Sequence, residues 1–231
     1  KGEMNFVHAS GSPDPTRSHF DAQVYMESGS LNLKRSADGW MNRLLGALPP
    51  VSAPARALAV GTTLPLILRG SQHAVNMALG KGADKAMPLD EASVSAISDH
   101  LFAANDALGK AYRDGVAARR EIMVGLKQEN MNADMGAPPP SGFTNTTQRL
   151  ARLMAQDPGI QLVFLDLGGF DTHVQQGSAR GQLAQRLTPL GEGLAALAQG
   201  LGTAWNDTLV VVCSEFGRTV RENGNAGTDH G

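Results

Sequence analysis

Gln161-Leu-Val-Phe-Leu-Asp-Leu167 and Thr208-Leu-Val-Val-Val-Cys-Ser214 are two nearly continuous apolar runs, and what joins them decides the fold. A run that is apolar at successive positions, rather than at alternate ones, fits a strand covered on both faces, as in a parallel sheet. Between Gly177 and Gly202 the leucines fall at 183, 187, 190, 194, 197 and 201. Those alternating steps of four and three line one face of a helix, and the stripe reads as core packing. Strand, helix and strand make a β-α-β unit whose crossover is expected to be right-handed. Pro189 takes one backbone donor out of that helix and is expected to kink or divide it. Cys213, the single cysteine, lies in the second run and reads as a buried, inert thiol.

Two further strand candidates, Met4–Ala9 and Ala57–Val60, precede this unit. Alternation of strand-like and helix-like segments predicts an α/β layer architecture with a mostly parallel sheet, and ligands in such sheets bind beyond the carboxyl ends of the strands. From Asp90 to about Asn132 the residues are good helix formers, although Gly109, Gly115 and Gly125 argue against one unbroken helix. Met135-Gly-Ala-Pro-Pro-Pro-Ser-Gly142 is a loop by composition. We read about 90–140 as a helical insertion on a single α/β domain spanning 1–231. The chain opens on Lys1 and stops beside its most site-like residues, so it reads as the middle of a longer protein.

With 231 residues, 42% of them hydrophobic and 18% charged, the chain can bury one sizeable core. A formal net charge of -2, with Lys and Arg dispersed, gives no reason to expect nucleic acid or an anionic membrane surface as partner. No apolar run approaches the roughly 20 residues of a membrane span.

Three segments at strand ends could carry chemistry. The first, Gly11-Ser-Pro-Asp-Pro-Thr-Arg-Ser-His-Phe-Asp21, places Ser18 to cap a helix running through Ser28. The same position suits a nucleophilic oxygen or a bound anion, because helix N-termini favour negative charge. His19 neighbours Ser18 and stays open as a candidate, whereas His8 in a predicted strand, His73 in a polar loop and His100 on a helix read as structural. The second, Gly168-Gly-Phe-Asp-Thr-His173, turns sharply and presents Asp171 and His173 close together, a common ligand mix for zinc. An Asx-type turn is the plainer reading of Asp171. In the third, Glu215 and Arg218 leave the last strand and Asp229-His230 follows. Adjacent Asp and His can serve two ions about 3.5–4 Å apart. Glu215 could add a ligand and Arg218 an anion clamp, or the two could form a surface ion pair.

Taken in order, Val7-His-Ala-Ser-Gly-Ser-Pro-Asp-Pro-Thr-Arg-Ser-His-Phe-Asp-Ala22, Leu64-Pro-Leu-Ile-Leu-Arg-Gly70, Gly169-Phe-Asp-Thr-His173, Ser214-Glu-Phe-Gly-Arg-Thr219 and Gly227-Thr-Asp-His-Gly231 resemble bacterial proteins of domain of unknown function 1501. That family is similar to the alkaline phosphatase and sulfatase superfamily, and its members are typically exported by the twin-arginine route. The resemblance implies an alkaline phosphatase-like three-layer sandwich, lacking here an N-terminal strand and a C-terminal histidine. It implies a site for two divalent metal ions, zinc foremost with calcium, magnesium or manganese as alternatives. Asp171, His173, Asp229 and His230 would be ligands, beside Glu215 as the further ligand the third segment offers, although the superfamily spaces the earlier pair Asp-x-x-x-His and this chain has Asp-x-His. Ser18 would be the nucleophile, with Thr16 next, and Arg218 would neutralise the transferred group. The implied activity is hydrolysis of a small-molecule or glycan phosphate or sulfate ester in the periplasm or outside the cell. The alternative is a non-catalytic exported protein that keeps the fold for metal or partner binding.

Overall fold

The computed structural model describes residues 4–8, 10–12, 15–30, 37–53, 55–61, 63–77, 79, 92–117 and 142–231. In chain order its elements are α1 (His19–Ser28), α2 (Trp40–Ala47), β1 (Ala57–Val60), a 3-10 turn (Leu66–Leu68), β2 (Val75–Met77), α3 (Ala92–Leu101), α4 (Phe143–Gln156), β3 (Leu162–Leu165), α5 (Gln182–Leu201) and a second 3-10 turn (Gly202–Asp207). The sheet is parallel in the order β2-β1-β3, with Leu58 opposite both Val75 and Val163.

Alternation along β1 builds two cores from one short strand. Leu58 points into a cluster with Leu150, Leu153, Leu197 and Leu201 from α4 and α5, while Ala57 and Ala59 face Met41, Leu45, Ile67 and Leu68. Helices thus cover both faces of the sheet, and the chain is α/β as expected. The alanines keep one face thin enough for α2 and the first 3-10 turn to sit close. On the other face, glycines let α4 and α5 meet: a Cβ on Gly193 would lie 2.5 Å from the Phe143 ring, and one on Gly200 2.5 Å from the Ala151 Cβ. A buried amide fastens α2 to the turn before β2. Asn42, 1% exposed, donates to the carbonyls of Leu68 and Gln72, both at 2.8 Å, and accepts the Gln72 N–H at 3.0 Å.

Several sequence expectations need correction. Residues 208–214 join no ladder among the described residues; Val210 packs against the core, but Leu209, Val211 and Val212 are 87%, 70% and 59% exposed. Met4, Phe6 and Val7 are likewise exposed and not in a strand. An apolar run shows that a segment suits a buried strand, but a strand also needs a neighbour's backbone to pair with. The expected β-α-β unit therefore lacks its second strand, and Cys213 is exposed rather than buried. Pro189 does not divide its helix: α5 runs unbroken through it, since one lost donor is outweighed by packing against α4. Leu197 and Leu201 enter the core as the stripe predicts, but Leu187 is exposed. β2 was not anticipated, its three residues being too short to show a pattern.

The expected helix after Ser18 is present as α1, ended by Gly29 in the left-handed conformation with φ 59°. In the 90–140 region, α3 and the helical residues 107–117 are separate helices, while 118–141 and nearly all of the 135–142 loop lie outside the described residues. No helix among the described residues is long and apolar enough to cross a membrane.

Candidate metal centre

Two irregular segments, 166–181 after β3 and 215–231 at the end of the chain, are joined backbone to backbone. Gln175 and Gln176 donate to the carbonyls of Asn225 and Ala226 at 2.9 and 2.8 Å, and the Asn223 amide donates to the His173 carbonyl at 3.0 Å. Gly227 lets them approach, because a Cβ there would lie 2.2 Å from the carbonyl carbon and oxygen of His173. Within the second segment Arg218 and His230 form an antiparallel bridge, with the Thr219 N–H donating to the Asp229 carbonyl at 2.9 Å. The Asp229-His230 pair is therefore held in place rather than frayed.

This arrangement brings three imidazoles around one carboxylate. Nε2 of His173 and Nε2 of His230 lie 2.8 and 2.9 Å from Asp171 Oδ1 and 3.1 Å from each other. Nε2 of His19 lies 3.2 Å from Asp171 Oδ2. Each Nδ1 faces outward to an acceptor: Glu215 Oε1 at 2.6 Å for His19, Asp229 Oδ1 at 3.1 Å for His173, and the Arg17 carbonyl at 2.8 Å for His230. Phe216 packs on two of the rings, its centroid 4.7 Å from His19 and 4.2 Å from His230. Asp171 is 40% exposed on its side chain, so solvent or a small ligand can reach it.

Arg218 donates to Asp171 Oδ1 and to the Thr228 carbonyl, and its Nε donates to Thr228 Oγ1 at 3.0 Å. Glu215 and Arg218 do not pair with each other; each serves a different member of the cluster. Burial pushes the Asp171 carboxyl up, but bonds from His230, Arg218 and His19 outweigh it and hold the group well below the usual carboxylate range. The bond to Glu215 raises His19, against desolvation. Glu215 is raised by desolvation yet ends lowered by His19, and Asp229 is lowered by Asn223 first and His173 second.

The donor set suits a divalent cation. Ligand atoms of His19, Asp171 and His230 lie within 4.8 Å of one another. His173, outside that group of three, adds edges of 2.8 Å to Asp171 Oδ1 and 3.1 Å to His230 Nε2, which with the 2.9 Å edge between His230 and Asp171 approach the roughly 3.3 Å edge of a tetrahedron with metal bonds of about 2.0–2.1 Å. Three carboxylates against one guanidinium also leave two negative charges uncompensated when the imidazoles are neutral.

Of the residues singled out in the sequence, Asp171, His173, Glu215, Arg218, Asp229 and His230 meet here. Ser18 adjoins the cluster through its neighbours Arg17 and His19; it is the N-cap of α1, yet its hydroxyl makes no cap bond. Thr16 accepts the Ser18 N–H at 3.1 Å. Sequence reasoning left His19 open and passed over Phe216 and Asn223; adjacency to Ser18 was the one signal for His19.

A family model described as "Protein of unknown function (DUF1501)" matches residues 5–231. No curated protein and no solved structure matches the chain.

Proposed function

This chain belongs to the DUF1501 family of proteins of unknown function, and on that premise we propose that it is a metal-dependent hydrolase of phosphate or sulfate esters with an alkaline phosphatase-like fold. The observation that carries this reading is the convergence of three imidazole Nε2 atoms on Asp171 beside the Ser18 loop. When bound, zinc or another divalent cation, two ions in the superfamily's arrangement, supplies Lewis acidity and lowers the pKa of a coordinated hydroxyl. Ser18 stands at the positive end of α1 with its hydroxyl free of capping, which favours an oxyanion there. His230 fixes the preceding peptide through the Arg17 carbonyl, so Ser18 and the imidazoles keep one geometry. Arg218 orients Asp171 and carries the charge that would meet the ester's equatorial oxygens. The substrate is a small-molecule or glycan ester, met in the periplasm or outside the cell.

The second reading is a non-catalytic protein that keeps the fold for metal or partner binding. Zinc-supplied protein assayed on an aryl phosphate and an aryl sulfate separates the two: turnover that disappears in Ser18→Ala at unchanged metal content supports the hydrolase. Retained turnover removes Ser18 from the mechanism, and metal binding without any turnover favours the binding protein.

A further inference from the structure

The orientation of the three imidazoles says more about the cation than residue types do. The Arg17 carbonyl can only accept a hydrogen bond, so His230 carries a proton on Nδ1. Glu215 and Asp229 are carboxylates facing Nδ1 of His19 and His173, which places those protons on Nδ1 as well. With the Nδ1 proton so placed, each ring in its neutral form turns an unprotonated Nε2 inward. Three lone pairs directed at one carboxylate, two of them on nitrogens 3.1 Å apart, repel unless a cation lies among them. Protons serve less well, because Asp171 Oδ1 already accepts from Arg218 and has too few lone pairs for three donors.

We propose that His19, Asp171, His173 and His230 hold a single imidazole-preferring divalent ion of the zinc type, and that Glu215 and Asp229 are not ligands but positioning residues that fix the Nδ1 protons of His19 and His173. Carboxylates behind ligating histidines set tautomer and ring direction and raise ligand basicity. Three nitrogens and one oxygen favour zinc or cobalt over magnesium or calcium, which prefer all-oxygen sites. This rests on the metal half of the function proposed above and not on hydrolysis, and it departs from the two-ion arrangement, which uses Asp229 and Glu215 as ligands and leaves His19 out.

The test is titration of the metal-free chain with Zn²⁺ by calorimetry and with Co²⁺ by visible absorption, with circular dichroism confirming that each variant folds. The expected result is one ion per chain and a four-coordinate cobalt spectrum. His19→Gln and His230→Gln should each weaken Zn²⁺ by more than ~100-fold and alter the cobalt spectrum. Glu215→Gln and Asp229→Asn should weaken it by about 10–100-fold, the range for positioning groups, and leave the cobalt spectrum's shape unchanged. His100→Gln, on α3, should change nothing. Two ions per chain, or a spectrum altered by Asp229→Asn and untouched by His19→Gln, overturns the single-ion assignment while leaving a metal hydrolase standing. Failure of the folded parent to bind either ion overturns both.

Discussion

Gly227→Ala isolates the contact on which the whole cluster depends. A Cβ there would sit 2.2 Å from the carbonyl carbon and oxygen of His173, and restoring a normal separation moves one segment by more than about 1 Å. Both sides of the clash are backbone, so no side chain can swing away to absorb it. The shift strains the bonds from Gln175, Gln176 and Asn223 that join the segments, and it carries His173 away from Asp229 and His230. Overpacking of this kind costs about 1–3 kcal/mol, which for a domain of this length lowers Tm by about 2–12 °C. Differential scanning calorimetry on metal-free protein measures it. Gly224→Ala, in the same segment with nothing within 4 Å of its new Cβ, is the control and should stay close to the parent. A Gly227→Ala protein melting within about 1 °C of the parent would refute the reasoning, because the two segments would then not be in the contact described.

Three further outcomes follow from the same geometry. Asn42→Ala removes three hydrogen bonds from a site 1% exposed and should cost about 2–4 kcal/mol in urea unfolding, without altering the cluster; a change under about 0.5 kcal/mol would contradict it. Pro189→Ala restores a backbone donor inside α5 and should raise Tm by a few degrees, on the order of 1 kcal/mol or more, with a lowered Tm counting against the unbroken helix. The metal-free cluster should be most stabilising in mildly acid solution. The contribution from Asp171, Glu215 and Asp229, whose folded pKa values are lowered, is complete above ~4 and fades as pH falls through those values. The contribution from His19, raised by Glu215, is complete below ~6.5 and fades as pH rises through the raised value. His19→Gln should flatten the alkaline side of a plot of Tm against pH; an unchanged alkaline side would remove His19 from the cluster's stability.

What could be read from the sequence was what local pattern determines. Ala57–Val60, the 161–167 run and the helix after Ser18 appear where expected because burial on both faces and a helix start leave marks within a few residues. The paired loops were recognisable too: Asp171, His173, Asp229 and His230 flank turns built by glycine. Residues 208–214 were misjudged because strand formation depends on a neighbour that local pattern cannot reveal, and Cys213 was misjudged with them. The partners of Glu215 and Asp229 were also beyond reach, since nothing local in the sequence shows that Glu215 meets Nδ1 of His19 or that Asp229 meets Nδ1 of His173.

The cluster joins parts of the chain that are remote in sequence: His19 meets Asp171 across 152 positions and Glu215 across 196, and His230 meets Arg17 across 213. Closing loops of such length costs entropy that no local contact repays early, so the segments that make the site come together late in folding. The two cores around β1 can form first, and the ring of histidines closes last. A cation that binds there reports on completion of the fold, and its arrival during refolding should trail the burial of Trp205, which packs against the core.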